Sequence, residues 1–129
     1  MMKVIVFDLK NTLVKDDKTW VEGAKEAYEL AVKSADQTAI YSMNEPWTYI
    51  VLTTWSKFFQ DSSKVLLVSK KIRQDLMEYK KPGNEVLVVG DSVTEELATA
   101  KALGFQYLQV DGVLEAEKIA DFLTVRALK

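Results

Sequence analysis

The sequence predicts a single α/β domain of the doubly wound, three-layer type, built on a parallel sheet. Short apolar segments alternate with segments of helical periodicity at about 25 residues per unit, which is typical of right-handed βαβ crossovers. The strand segments are nearly continuous apolar runs, such as residues 4–7 and 86–89, and such runs indicate strands buried on both faces. The length of 129 residues suits one compact domain with one core.

Five strands are predicted from the apolar segments rich in β-branched residues. They run from Lys3 to Asp8, Thr38 to Ser42, Lys64 to Ser69, Glu85 to Gly90 and Phe105 to Val110. The polar residues 10–19 are predicted to form a loop or a small hairpin over the first strand.

Five helices are predicted from apolar residues at helical spacing. The second begins at Pro46 with Asn44 as a candidate cap, and the fourth ends at Gly104. The aromatic residues of the second helix are predicted to be core, with any exposed remainder available for a subunit contact. The residues on the predicted buried face of each helix, in chain order, are Val21, Ala24, Tyr28, Ala31 and Val32; Trp47, Ile50, Val51, Trp55, Phe58 and Phe59; Ile72, Leu76 and Tyr79; Leu97, Ala100, Lys101 and Leu103; and Ile119, Phe122, Leu123 and Val125 of a helix from Leu114 to Leu128.

The composition excludes several classes of function. The chain has no cysteine and no histidine, so thiolate catalysis, Ser-His pairs and Cys- or His-ligated metals are absent. Carboxylate and carbonyl ligands remain, and these suit Mg²⁺. A net charge of -2 without a basic run gives no electrostatic basis for binding nucleic acid or an anionic membrane. No apolar run reaches a membrane span and no signal peptide is evident, so a cytoplasmic location is expected.

Two predicted strands each deliver an aspartate to the same edge of the sheet. Asp8 follows the first apolar run, and Asp91 follows the fourth. Open α/β sheets carry their ligand crevice at the carboxyl ends of the strands, so the two carboxylates can form a divalent-cation site. The alternative is that each aspartate only starts a loop or caps a helix.

The chain resembles the haloacid dehalogenase (HAD) superfamily over nearly its whole length. Four family motifs have counterparts in order, each at the end of a predicted strand. They are Asp8-Leu9-Lys10-Asn11-Thr12-Leu13, then Ser42, then Lys70, then Gly90-Asp91-Ser92-Val93-Thr94-Glu95. The resemblance implies a five-stranded Rossmann-like sheet, for which we expect the order 3-2-1-4-5, and a Mg²⁺-dependent phosphohydrolase.

The resemblance also implies roles for individual residues. Asp8 would attack phosphorus and form an aspartyl-phosphate, which divides one difficult displacement into two. The metal ligands would be Asp8, Asp91, Glu95 and the backbone carbonyl of Lys10. Glu95 is equally explained as an acidic residue in the first turn of a helix.

The phosphate contacts implied by the resemblance come from the second and third motifs. Ser42 would donate a hydrogen bond to a phosphoryl oxygen, with Asn44 beside it, and Lys70 would supply positive charge, with Lys71 as the second choice. Ser42 is equally explained by a local backbone bond, and the two lysines by solvated charges. Lys81, although followed by proline, precedes the fourth strand and is expected at the opposite edge.

Position 10 departs from the family pattern, because Lys10 stands where family phosphatases carry their acid/base aspartate. Loss of such a group commonly costs about 10² to 10⁴ in rate. Three outcomes are open: a weak or specialised phosphohydrolase, an enzyme for another displacement at carbon–halogen or carbon–phosphorus bonds, or a non-catalytic domain that binds a phosphorylated ligand or a protein partner.

The short gaps between the motifs leave no room for a cap domain. Residues 9–41 hold one loop and one helix, and residues 43–69 hold one helix and one strand. An open site is therefore expected, which fits a large phosphorylated substrate, a protein partner that closes the crevice, or a homo-oligomer.

Overall fold

The structure, a computed structural model, describes residues 2–42, 46–54, 64–68, 72–92 and 94–124. Strands and helices alternate along this part of the chain, so the predicted α/β class is confirmed. The strands are β1 Lys3–Asp8, β2 Gln37–Ser42, β3 Lys64–Val68, β4 Glu85–Gly90 and β5 Gln106–Gln109. The helices are α1 Ala24–Ser34, α2 Pro46–Thr54, α3 Ile72–Met77, α4 Glu96–Leu103 and α5 Ala116–Thr124.

The strands pair in parallel in the order β3-β2-β1-β4-β5. β1 is therefore central, with Phe7 opposite Ile40 of β2 on one side and opposite Val89 of β4 on the other. This register brings the carboxyl ends of β1 and β4 side by side. Residues that follow these two strands must emerge at one edge of the sheet.

Alternate residues of β1 enter two hydrophobic clusters, as expected for a strand buried on both faces. Ile5 and Phe7 pack in the cluster that includes residues of α1, α2 and α5. Val4 and Val6 pack in the cluster that includes residues of α3 and α4. Helices therefore cover both faces of the sheet.

The segment after β1 forms a turn followed by a short hairpin, as the polar composition of residues 10–19 predicts. The amide groups of Leu13 and Val14 both donate to the carbonyl of Leu9, and Val14 bridges antiparallel to Trp20. The hairpin stands at the carboxyl edge of the sheet, directly after Asp8.

Helix ends agree with the sequence at some points and differ at others. Gly104 ends α4 in the left-handed conformation at φ 76°, as predicted. The last helix begins at Ala116, so the predicted start at Leu114 is wrong. The amide of Leu114 donates to the carbonyl of Glu22, and Val113 bridges to Glu22, which holds this backbone extended.

Some predictions fall on residues outside the described ranges. These are the apolar positions Trp55, Phe58, Phe59 and Val125, and Ser69 at the end of the third strand. In the part of the chain that is described, no helix combines the length and the apolarity needed to cross a bilayer.

Candidate metal centre

Three carboxylates meet at the carboxyl edge of the sheet. Asp8 ends β1, Asp91 follows β4, and Glu96 is the first residue of α4. One oxygen from each lies within 4.8 Å of the others. The pairing of β1 with β4 explains the first two positions, and the turn from β4 into α4 supplies the third.

The backbone after β1 directs Asp8 into this cluster. The amide of Leu9 donates to the carbonyl of Tyr41 (3.0 Å), which extends the parallel pairing past the end of the strand. The hydroxyl of buried Thr12 donates to Oδ2 of Asp8 at 3.3 Å. Asn11 takes a left-handed conformation (φ 60°), which asparagine tolerates, and its backbone N–H donates to the backbone carbonyl of Val14.

Glu96 is a buried residue, and one of its two carboxylate oxygens lacks a hydrogen-bond partner among the described residues. The residue is only 3% exposed, and no hydrogen-bond donor among the described residues reaches its Oε2. The N-terminal end of α4 offers partial compensation through the helix dipole. Burying a carboxylate oxygen without a partner is costly, so a cation at this point would complete the site.

The turn that carries Asp91 is held by several hydrogen bonds through Ser92. The hydroxyl of Ser92 accepts a bond from the amide of Glu95 (3.1 Å), and its carbonyl accepts one from the hydroxyl of Tyr107 (2.9 Å). The amide of Leu97 also donates to this carbonyl. These bonds set the direction in which the chain leaves β4 and enters α4.

The electrostatics of the cluster favour protonation in the absence of a cation. Burial, together with the negative charges of Glu96 and Asp91, raises the pKa of Asp8 well above its ordinary value. Burial also raises the pKa of Glu96, and burial and the three carboxylates raise the pKa of Tyr107. A divalent cation would remove this repulsion, and three oxygen donors fit the preference of Mg²⁺.

The acidic cluster contains Glu96 and not the predicted ligand Glu95. Sequence reasoning chose Glu95, but the carboxylate grouped with Asp8 and Asp91 belongs to Glu96. Glu95 is exposed at the rim of the same cavity. The buried residues of α4 explain this, because Glu96, Thr99, Ala100 and Leu103 form an i, i+3, i+4, i+7 stripe. That spacing is a signal from which Glu96 could have been found.

Lys10 lies at the cavity, and its side chain has partners in the hairpin and in α2. Its ammonium is 3.6 Å from Oδ1 of Asp16 and 5.3 Å from the centroid of the Trp47 ring. The indole N–H of Trp47 donates to the carbonyl of Asp16 at 3.1 Å. Lys10, Asp16 and Trp47 thus form a three-residue cluster, which we call the Lys10 clasp.

Ser42 lies where the sequence predicts, at the end of β2 beside Asp8. It is buried, and its hydroxyl oxygen is 2.8 Å from that of Thr48 in the first turn of α2. Either hydroxyl can be the donor. Thr48 was not predicted as a site residue, and no sequence motif marks it. If Thr48 donates, the hydrogen of Ser42 is available to a ligand.

A cavity of about 160 Å³ joins these groups. Its lining contains five of the predicted site residues together with the additional carboxylate Glu96. The lining residues are Asp8, Lys10, Asn11, Tyr41, Ser42, Asp91, Ser92, Glu95 and Glu96.

The remaining predicted phosphate contacts, Asn44, Lys70 and Lys71, lie outside the described residues. Lys81 lines a different cavity, together with Glu85 at the start of β4 and Gly104. This agrees with the expectation that Lys81 lies at the opposite edge of the sheet.

Comparisons of this chain with protein-family models, with curated proteins and with solved structures find no match.

Proposed function

We propose that this protein is a Mg²⁺-dependent phosphohydrolase of the HAD type, with Asp8 as the nucleophile. The observation that carries the proposal is the convergence of Asp8, Asp91 and Glu96 within 4.8 Å at the carboxyl edge of a parallel sheet. The order of the strands and the cover of helices on both faces support a HAD-like, Rossmann-like assignment of the fold.

An acidic cluster alone does not indicate a ligand, and the state of Glu96 supplies independent support. Its Oε2 has no donor among the described residues although the residue is almost fully buried. Natural proteins seldom leave a buried polar atom of this kind without a hydrogen-bond partner or a bound ion. Asp8, Asp91 and Glu96 would hold Mg²⁺, with the carbonyl of Lys10 as a further proposed ligand.

Bound Mg²⁺ would supply positive charge that offsets the repulsion between an attacking carboxylate and a phosphate group. An oxygen of Asp8 forms a bond to phosphorus as the bond to the leaving oxygen breaks. Thr12 orients Asp8 through its hydrogen bond, and Ser42 donates to a phosphoryl oxygen. Water then displaces the phosphoryl group from Asp8.

The accessibility of the site guides the choice of substrate. The two motif gaps, residues 9–41 and 43–69, are too short for an inserted domain, and the cavity lies between the first loop and the turn after β4. An open site of this kind accommodates a large phosphorylated molecule, or a small one when a partner covers the crevice.

The test is hydrolysis of para-nitrophenyl phosphate with and without Mg²⁺, because its leaving group needs little protonation. Wild type, Asp8→Asn and the exposed control Asp121→Asn are compared. We expect Mg²⁺-dependent release of nitrophenolate in wild type and in Asp121→Asn, and none in Asp8→Asn. Equal release from Asp8→Asn and wild type would contradict the proposal.

A second candidate is a non-catalytic domain of the same type that binds a phosphorylated ligand or a protein partner. The Lys10 clasp favours it, because a lysine bound to Asp16 and Trp47 stands in the place of the acid/base aspartate. Binding of inorganic phosphate in the presence of Mg²⁺, without any release of nitrophenolate and without transfer of phosphoryl to the protein, would favour this candidate over the enzyme.

A further inference from the structure

We propose that Asp8 accepts a phosphoryl group from activated donors and then retains it, so that the protein accumulates as an aspartyl-phosphate. This inference rests on the proposed function and adds the class of substrate and the slow step. Activated donors are acyl and aryl phosphates, whose leaving groups depart as stable anions.

The inference begins with the chemistry available at position 10. A protonated lysine has three N–H donors and no lone pair, so it cannot take a proton from water. The Lys10 ammonium lies 3.6 Å from Oδ1 of Asp16 and 5.3 Å from the centroid of the Trp47 ring, so the hairpin and α2 hold this side chain. The side chain therefore contributes positive charge at this end of the cavity.

The two half-reactions place different demands on this site. In the first, an Asp8 oxygen bonds to phosphorus, the P–O bond of the donor breaks, and its electron pair leaves with the oxygen of the leaving group. An aryl or acyl oxygen carries that charge without receiving a proton. The first half-reaction therefore needs no general acid when the donor is activated.

The second half-reaction requires a proton acceptor. The oxygen of water bonds to phosphorus, the P–O bond to Asp8 breaks, its electron pair returns to the carboxylate, and water must lose a proton. Asp91 and Glu96 would be occupied by the cation. Water attack then proceeds without a base at position 10, and the aspartyl-phosphate persists.

Glu95 is the remaining carboxylate of the cavity lining and is the natural competitor to this inference. It is exposed, and its own backbone amide is bound to the hydroxyl of Ser92. If Glu95 reached the attacking water, turnover would be continuous. The variant Glu95→Gln therefore belongs in the experiment.

The experiment mixes a high concentration of the full chain with para-nitrophenyl phosphate and Mg²⁺. Released nitrophenolate is followed by stopped flow, and acid-quenched samples are analysed by intact-mass and peptide mass spectrometry. The proteins are wild type, Asp8→Asn, Lys10→Asp, Glu95→Gln and Lys15→Asp. Lys15 is an exposed lysine of the same hairpin outside the cavity lining, so its replacement makes the same change of charge.

In wild type we expect a burst approaching one nitrophenolate per chain, followed by slow release, with one phosphoryl group on Asp8. Lys15→Asp should behave as wild type does, and a wild-type burst in Glu95→Gln would show that Glu95 does not activate the attacking water. Lys10→Asp should lose the burst and speed the later release by about 10² to 10⁴-fold, because it restores an acceptor for the proton of water. If Lys10→Asp does not fold, the wild-type burst and the labelled Asp8 still decide the question.

Two results would overturn the inference in distinguishable ways. Continuous Mg²⁺-dependent turnover in wild type, without a phosphorylated chain, would contradict the inference and leave the proposed function in place. It would show that another group activates the water. That group would be Glu95 if the Glu95→Gln variant shows the burst. No release and no phosphorylation in wild type or in Lys10→Asp would overturn the inference together with the proposed function.

Discussion

The side chain of Glu96 lies directly against the main chain of Gly90. A Cβ atom at position 90 would be 3.1 Å from Cγ of Glu96 and 3.2 Å from its Cδ. Gly90 ends β4, so the absence of a side chain there allows the first turn of α4 to bring a carboxylate toward Asp8. One glycine thus determines how closely the third carboxylate approaches the other two.

Gly90→Ala should weaken Mg²⁺ binding by about tenfold, because the new methyl group displaces the Glu96 carboxylate by a few tenths of an ångström. Isothermal titration calorimetry measures the change. In a Glu96→Ala background the same substitution should have little further effect on affinity. If the losses of Mg²⁺ affinity from Gly90→Ala and Glu96→Ala added fully in the double variant, Gly90→Ala would not be acting through its contact with Glu96.

Glu96→Gln should lower the affinity for Mg²⁺ by at least about tenfold, whereas Glu95→Gln should leave it nearly unchanged. The two variants are matched, since each neutralises one of two adjacent glutamates. Only Glu96 shares the cluster with Asp8 and Asp91. A larger effect from Glu95→Gln would support the metal ligand that the family resemblance implies and would give the buried Glu96 carboxylate another role.

Asp8 should make the stability of the protein without Mg²⁺ depend on pH. Its folded-state pKa is raised by burial and by Glu96 and Asp91, so the folded protein binds this proton more tightly than the unfolded chain does. Stability should therefore fall as the pH rises from the ordinary value of 3.8 through the raised folded-state pKa.

Asp8→Asn tests this directly, because the amide cannot ionise. At neutral pH in chelator, the variant should be more stable than wild type, by an amount on the order of 1 kcal/mol. Asp121→Asn, an exposed position on α5, serves as the control and should change little. Urea unfolding over a range of pH measures both effects, and an unchanged pH profile in Asp8→Asn would argue against the carboxylate repulsion.

Lys3 should contribute to stability by joining the start of β1 to the end of α5. Its ammonium donates to the carbonyl of Phe122 at 2.5 Å, pairs with Glu85 at 3.2 Å and lies 4.7 Å from the Phe122 ring centroid. Lys3→Met should lower the free energy of unfolding by about 1–3 kcal/mol, since it leaves the carbonyl oxygen of Phe122 and the carboxylate oxygen of Glu85 without the Lys3 donor.

The control for Lys3 is Lys118→Met, which changes an exposed lysine on α5 and should alter stability by less than about 0.5 kcal/mol. Chemical denaturation with far-UV circular dichroism gives both values. Equal losses from the two variants would indicate a general effect of charge and not the buried contacts of Lys3.

Several parts of the candidate site could be predicted from the sequence because they depend on local patterns. Two apolar runs, each followed by an aspartate, predict neighbouring carboxylates once the strands are parallel. The parallel sheet is present, and Asp8 and Asp91 meet at its edge. The family resemblance implied Ser42, which ends the strand beside β1.

Other parts depend on side-chain directions that no local pattern determines. Glu95 and Glu96 differ by about 100° around a helix axis, so the choice between them depends on where α4 begins and which face it packs on the sheet. The partners of Lys10 likewise come from elsewhere, since Asp16 stands in the hairpin and Trp47 in α2.

By itself, the sequence determined the α/β class and the edge of the sheet at which the acidic residues collect. The reason is that the apolar periodicity identifies the buried strands and the helices, and the order of these elements along the chain indicates parallel strands. Only the tertiary structure decided that Glu96 completes the cluster, that Thr48 bonds to Ser42 and that Lys10 joins Asp16 and Trp47. The physical reason is that these contacts join separate elements, whose relative positions are set by packing on the two faces of the sheet.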